Sequence, residues 1–262
     1  MLLIAILAGT LVAGIGSVWL AAALSFGVLA RYTQHMLSLA AGALLATAFL
    51  HLLPEAFESL ISPHNLFLTL LVGLVFFFLL DKAELWHHGH EHHHGPQVDD
   101  GHGHGHGHDH APKPGSWAVL TGDSVHCFGD GILIASAFIA DMRLGAIAAL
   151  AVLAHEVPHH MGDLAVLRGG SSDRRMAVVK VSLAGAVTAL GGVVGYLLVD
   201  RLQQYLPFFL AIASSSFVYV ALADLIPQLQ KRLSARETAA QIAWLAGGIA
   251  LVTVVGSLAH RH

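Results

Sequence analysis

The segment His155-Glu156-Val157-Pro158-His159-His160-Met161-Gly162-Asp163 sets three imidazoles and two carboxylates within nine residues. At about 100° per residue, all five fall within roughly 140° of one helix face. Imidazole and carboxylate on successive turns are the ligand types of a borderline divalent cation such as zinc. The same residues also satisfy His-Glu-x-x-His, with Glu156 available as general base on a zinc-bound water, so zinc-dependent proteolysis is the competing chemistry. Pro158, between the two histidines, removes backbone hydrogen bonding that a rigid hydrolytic pair relies on.

A second set precedes it. His126 and Asp130 are one helical turn apart, roughly 6 Å along the axis, and Cys127 lies about 100° round. Together the two stretches suggest a tetrahedral or slightly larger site from His126, Asp130, His155 and His159. Cys127 and Glu156, on adjoining faces, would serve a second metal position beside it. Further polar residues mark a route: His51 and Glu55 (with Glu58) on one segment, Asp123 before His126, His160 and Asp163 after His159, and Asp224 late in the chain. A line of weak sites suits a carrier, whereas a protease needs one site with water access. No catalytic residue and no resident cofactor are expected, and the chain is read as a non-enzyme.

The surrounding elements must be membrane spans. Of 262 residues, 55% are hydrophobic and only 11% charged, and the mean hydropathy is +0.68. A soluble domain carries about a quarter charged residues. Neither this composition nor the net charge of −4 offers a basic surface for nucleic acid. Windows of about 20 apolar residues give eight candidate spans, at roughly 2–30, 36–58, 65–83, 117–140, 144–167, 177–199, 206–229 and 239–259. The first is too long for a signal-peptide core and is read as retained. All are expected to be helices, giving an all-α integral membrane protein. The site residues therefore lie at membrane depth, where each ionisable group costs on the order of 2.5–3.5 kcal/mol, so together they require a counter-ligand.

Ten of the thirteen Lys and Arg residues fall on loops after odd-numbered spans. That bias puts both termini outside the cytoplasm. The chain divides into spans one to three (1–83), a long cytoplasmic loop (84–116), and spans four to eight (117–262). The loop holds eleven of the twenty histidines with glycine and acid, a composition that builds no core and chelates metal weakly. Ala48-Phe49-Leu50-His51-Leu52-Leu53-Pro54-Glu55 is echoed by Ala221-Leu222-Ala223-Asp224-Leu225-Ile226-Pro227-Gln228, in the second and second-to-last spans. That likeness suggests a 3+2+3 arrangement with inverted repeats. Prolines at 54, 158 and 227 are expected to kink their helices and free a carbonyl.

These stretches together resemble the ZIP family of divalent-metal transporters. The residues that carry the likeness are His51-Leu52-Leu53-Pro54-Glu55-Ala56; His126 with Phe128, Asp130 and Gly131; His155-Glu156-Val157-Pro158-His159 with Gly162-Asp163; and Phe217 to Leu222 with Asp224-Leu225-Ile226-Pro227. The resemblance implies passage of Zn2+ (or Fe2+, Mn2+, Cd2+ or Co2+) into the cytoplasm without ATP. It further implies a paired metal site between spans four and five, alternating access and a homodimer in the lipid bilayer. Short loops suggest a bacterial inner membrane. The chain departs from the family in two places: Cys127 stands where Asn is usual, and His160 where Glu is frequent. Both leave the metal preference open.

Overall fold

The computed structural model describes residues 1–25, 33–89, 115–170, 174–226 and 234–259, and every regular element among them is helical. In lipid, a single apolar segment of this length satisfies its own backbone groups by coiling into a helix. The α-helices are α1 (Leu2–Leu11), α2 (Ser17–Ser25), α3 (Thr33–Thr47), α4 (Leu53–Phe57), α5 (Pro63–Gly89), α6 (Gly115–Ala140), α7 (Met142–Gly170), α8 (Arg174–Arg201), α9 (Leu206–Tyr219) and α10 (Ala235–Ala259). Wider π-helical turns at Val12–Gly16, Ala48–Leu52 and Val220–Leu225 join α1 to α2, join α3 to α4, and extend α9. These elements compose eight helical spans. Seven are long and apolar enough to cross a membrane by composition alone. The fifth, α7, has 29 residues but is made more polar by its own histidines and acids.

Which helices pack together follows the repeat suggested by the sequence. Span four packs on span six as span five packs on span one; span two on span eight as span seven on span three; span two on span five as span seven on span four. Exchanging one with six, two with seven, three with eight and four with five maps this network onto itself. The echoed segments match in detail. The π turn Ala48–Leu52 precedes Pro54, and the aligned residues Ala221–Leu225 lie in the π turn before Pro227. Proline has no N–H to donate, and the turn ahead of it widens so that the chain stays helical. Pro158 behaves differently, because α7 continues through it as α-helix.

The second span is central and the third peripheral. In their most apolar windows, 67% of residues are buried in the former and 11% in the latter. Phe67, Leu71, Val72, Phe76 and Leu79 of α5 accordingly face outward, where lipid would lie. The core joins Ala40, Ala41, Leu44 and Ala48 to Leu133, Ile134, Ala148, Val152, Leu210 and Phe217. Small residues here let the helices approach closely. One such close approach is α6 against α8. A side chain on Gly131 would strike the Thr188 carbonyl, and one on Gly191 the Phe128 carbonyl. That contact fixes the back of the helix whose front carries His126, Cys127 and Asp130.

Most helices run a few residues beyond the spans read from the sequence, and two of these differences shorten the loop. The third-span helix runs on to Gly89, into the segment taken as loop, because Asp81 to His88 contains no helix breaker. The fourth begins at Gly115. Residues 90–114, with most of the loop histidines, lie outside the described residues, as do Pro227 and the side chain of Asp224.

Candidate metal centre

Helices α6 and α7 are antiparallel neighbours joined at Asp141, whose Oδ1 accepts hydrogen bonds from Arg143 N (2.8 Å) and Leu144 N (3.2 Å) and caps α7. Moving along α7 away from this junction therefore means moving backward along α6. His155 comes level with Asp130 and His126, and His159 and Asp163 come level with Asp123.

Nearest the junction, four donor atoms converge. His155 Nε2 lies 3.3 Å from Asp130 Oδ2, 3.3 Å from Glu156 Oε1 and 3.3 Å from His126 Nε2. His126 Nε2 lies 3.4 Å from Glu156 Oε1 and 3.8 Å from Asp130 Oδ2. A tetrahedron built on zinc bonds of about 2.0–2.1 Å has edges of roughly 3.3–3.4 Å. The spacing is thus close to that of a filled zinc shell. The His155 ring is oriented for ligation, since its Nδ1 lies 3.4 Å from the Ala151 carbonyl. Donation from Nδ1 leaves the lone pair on Nε2.

One turn further in, a second group forms from Asp123, Cys127, Glu156 and His160, all buried. Glu156 Oε2 is 3.0 Å from His160 Nε2 and 3.9 Å from Cys127 Sγ. Asp123 Oδ1 is 3.7 Å from each of those two atoms. With a zinc–sulfur bond of about 2.3 Å, the sulfur-to-oxygen edge of a tetrahedron is about 3.6 Å. Glu156 thus turns one oxygen to each group and joins them. A third group, of Asp123, His159 and Asp163, lies beyond.

Buried polar atoms are nearly always hydrogen-bonded, so exceptions call for an explanation. Asp123 Oδ2, Asp130 Oδ2, Glu156 Oε1, His159 Nδ1, His160 Nε2 and Asp163 Oδ2 are all buried without a hydrogen-bond partner. All six residues belong to the three groups. Lone pairs converging in this way are the donor set that a metal ion could satisfy.

The structure regroups the residues singled out by the sequence. Glu156, expected at a second position, also completes the first. His159, expected in the first, turns to Asp163, and its ring stacks on that of His126 at 5.5 Å between centroids. His160, expected on an exit path, is a donor of the second group. His51 and Glu55 are not at the centre. They line a cavity of about 370 Å3 with Glu58, Asp141 and Arg143, and Asp123 lies toward the opposite end of α6.

Sequence reasoning missed Ser17. Its hydroxyl donates to the Gly14 carbonyl at 2.6 Å, and its oxygen lies 3.0 Å from His160 Nδ1. The single hydroxyl proton is used on Gly14, so Nδ1 of a neutral His160 is the donor to Ser17. The lone pair then sits on Nε2, inside the second group. A serine among the small residues of the first span was a weak signal.

A family model described as "ZIP Zinc transporter" matches residues 1–256. Over 259 residues the chain is 31% identical to zinc transporter ZIP4 of Homo sapiens, a match covering 78% of the chain and 40% of that protein. Zinc transporter ZIP13 of Pongo abelii is 27% identical over 274 residues, covering 95% of the chain and 76% of the relative. Zinc transporter ZIP10 of Homo sapiens is 32% identical over 145 residues, covering 55% and 17%. The chain therefore spans less than half the length of two of these relatives and about three quarters of the other.

Proposed function

Since the chain belongs to the ZIP zinc transporter family, we propose that it carries a divalent cation, zinc above all, across its membrane into the cytoplasm through the donor groups between spans four and five. The observation that carries this reading is the first group. Two imidazole nitrogens and two carboxylate oxygens stand 3.3–3.8 Å apart in the pairs measured, at tetrahedral spacing, in the middle of a membrane bundle.

The path runs from the His51, Glu55 and Glu58 mouth, outside, to the first group. Ile147, which lines the mouth cavity, is about 12 Å along α7 from His155. A hydrated cation sheds water to His126, Asp130, His155 and Glu156. It is then shared through the Glu156 carboxylate with the second group. Rocking of one repeat against the other opens the site inward, eased by the π turns ahead of Pro54 and Pro227. Asp224 and the histidine-rich loop receive the ion on the cytoplasmic side. The protein works as a homodimer in a bacterial inner membrane, with both termini outside.

The chemistry of the donors sets the preferences. Thiol and imidazole in the second group favour zinc and cadmium over the harder manganese, with iron and cobalt between. Acid weakens binding, because the imidazoles must be neutral and the carboxylates ionised to act as ligands. Proteolysis fits the geometry less well. Both oxygens of Glu156 face donor groups, which leaves no free base, and His159 turns away from His155 toward Asp163.

Liposomes enclosing a zinc indicator test the reading. Saturable zinc entry by the wild type, reduced at least tenfold in His155→Ala, is the expected result. Zinc that binds tightly yet never crosses would overturn transport and return attention to hydrolysis.

A further inference from the structure

The third group remains. His159 Nδ1 lies 3.4 Å from Asp163 Oδ2 and 3.9 Å from Asp123 Oδ1. Neither His159 Nδ1 nor Asp163 Oδ2 has a hydrogen-bond partner, and Asp123 Oδ2 is likewise unpaired although its side chain is only 2% exposed. The His159 side chain is 36% exposed. A three-ligand set with one open side is what a site needs if water is to complete the shell and exchange. Resting on the transport reading above, we propose that Asp123, His159 and Asp163 form a third metal position, a release station for the same divalent cation.

Its place in the series supports this role. Glu156 belongs to the first and second groups, and Asp123 to the second and third. An ion can therefore advance along the antiparallel seam of α6 and α7 while keeping one carboxylate at each step, and it is never stripped of all its ligands in a low-dielectric interior. Charge decides how many ions the series holds. Asp123, Asp130, Glu156 and Asp163 supply four negative charges, five when Cys127 yields its proton to an ion beside it, which balances two divalent ions and not three. With one ion in the first group, the remaining Asp123 and Asp163 neutralise one more. That second ion alternates between the second and third positions, and arrival of a new ion at the first favours its shift to the third, as in conduction through adjacent sites.

The competing account is a clamp, in which a protonated His159 merely bridges two aspartates. The test uses the full-length protein in detergent, titrated with zinc and then cadmium, comparing wild type with Asp163→Asn. The expected result is a second-ion affinity at least about tenfold lower, with the first unchanged. Cadmium held beside Cys127 gives an ultraviolet thiolate-to-metal band. This band should strengthen in Asp163→Asn, where the second ion can no longer leave Cys127, a change that a purely structural defect would not produce. His159→Gln keeps a hydrogen-bond donor to the aspartates and must lose the same affinity, while Asp163→Glu should restore it. Unchanged second-ion affinity and an unchanged band in Asp163→Asn, or wild-type binding by His159→Gln, would overturn the third position. Asp130→Asn separates the two readings, since Asp130 serves the first group alone. If it leaves binding and uptake intact while Asp163→Asn shows its full effect, the paired site is wrong and the third position stands.

Discussion

At the Asp141 end of the bundle, Glu55 and Glu58 stand exposed beside Arg143 and a half-buried His51. Between spans four and five, Asp130, His155 and Glu156 offer the same side-chain types at 3% exposure or less. The two clusters have similar composition and different physics. At the mouth, water solvates every charge and an arginine offsets part of it, so the cluster raises the local cation concentration without fixing an ion. In the interior six donor atoms are enclosed without a hydrogen-bond partner, and on the reading proposed above the cargo is the partner they await. What separates a binding site from a solvated face here is enclosure without satisfaction, not the count of acids and histidines.

Substitutions can break that contrast. Glu156→Gln removes a ligand from two groups at once. It should weaken zinc binding beyond the roughly 10–100-fold that loss of an outer-shell partner costs, and calorimetry should register both ions affected. Ser17→Ala frees the His160 tautomer and should weaken the second position about tenfold. The readout is loss of the cadmium–thiolate band while total second-ion affinity barely falls, and Ser17→Thr should restore the band. Nitrogen-15 NMR of the His160 ring, protonated at Nδ1 in the wild type, separates this from a packing defect. The smallest effect belongs to the mouth. Glu55→Gln with Glu58→Gln should raise the half-saturating zinc concentration less than about threefold in uptake assays, and the difference should vanish near 1 M salt, where the Debye length is about 3 Å. A large, salt-insensitive effect there would mean that the mouth binds metal directly and that the contrast is false.

Much of this was legible in the sequence. Apolar runs gave the spans, and polar residues at helical spacing marked α6 and α7 as the helices whose candidate ligands the fold brings together. The proline segments at 48–55 and 221–228 foretold matching turns, although their π geometry was not readable, because a missing N–H leaves open whether a helix kinks or widens. The allocation of ligands was not legible either. Periodicity places His155, Glu156, His159 and His160 on one face of α7, but it carries no information on how far α7 slides along α6. That register, set by the Asp141 cap and the short connection, puts Glu156 between two groups and sends His159 to Asp123. Ser17 was hidden for a related reason: a contact across 143 residues has no local signature.

The glycines on the back of α6 bear on how the bundle can move. Gly131 and Gly191 press backbone against backbone, leaving no room for even a methyl group between α6 and α8. Those two helices must travel as one rigid body. The opposite face of α6 meets α7 across ligand atoms that have no hydrogen-bond partner. One seam is welded and the other is not, so in the carrier proposed above α7 would slide against a fixed pair of helices, taking His155, Glu156, His159 and Asp163 past His126, Asp130 and Asp123.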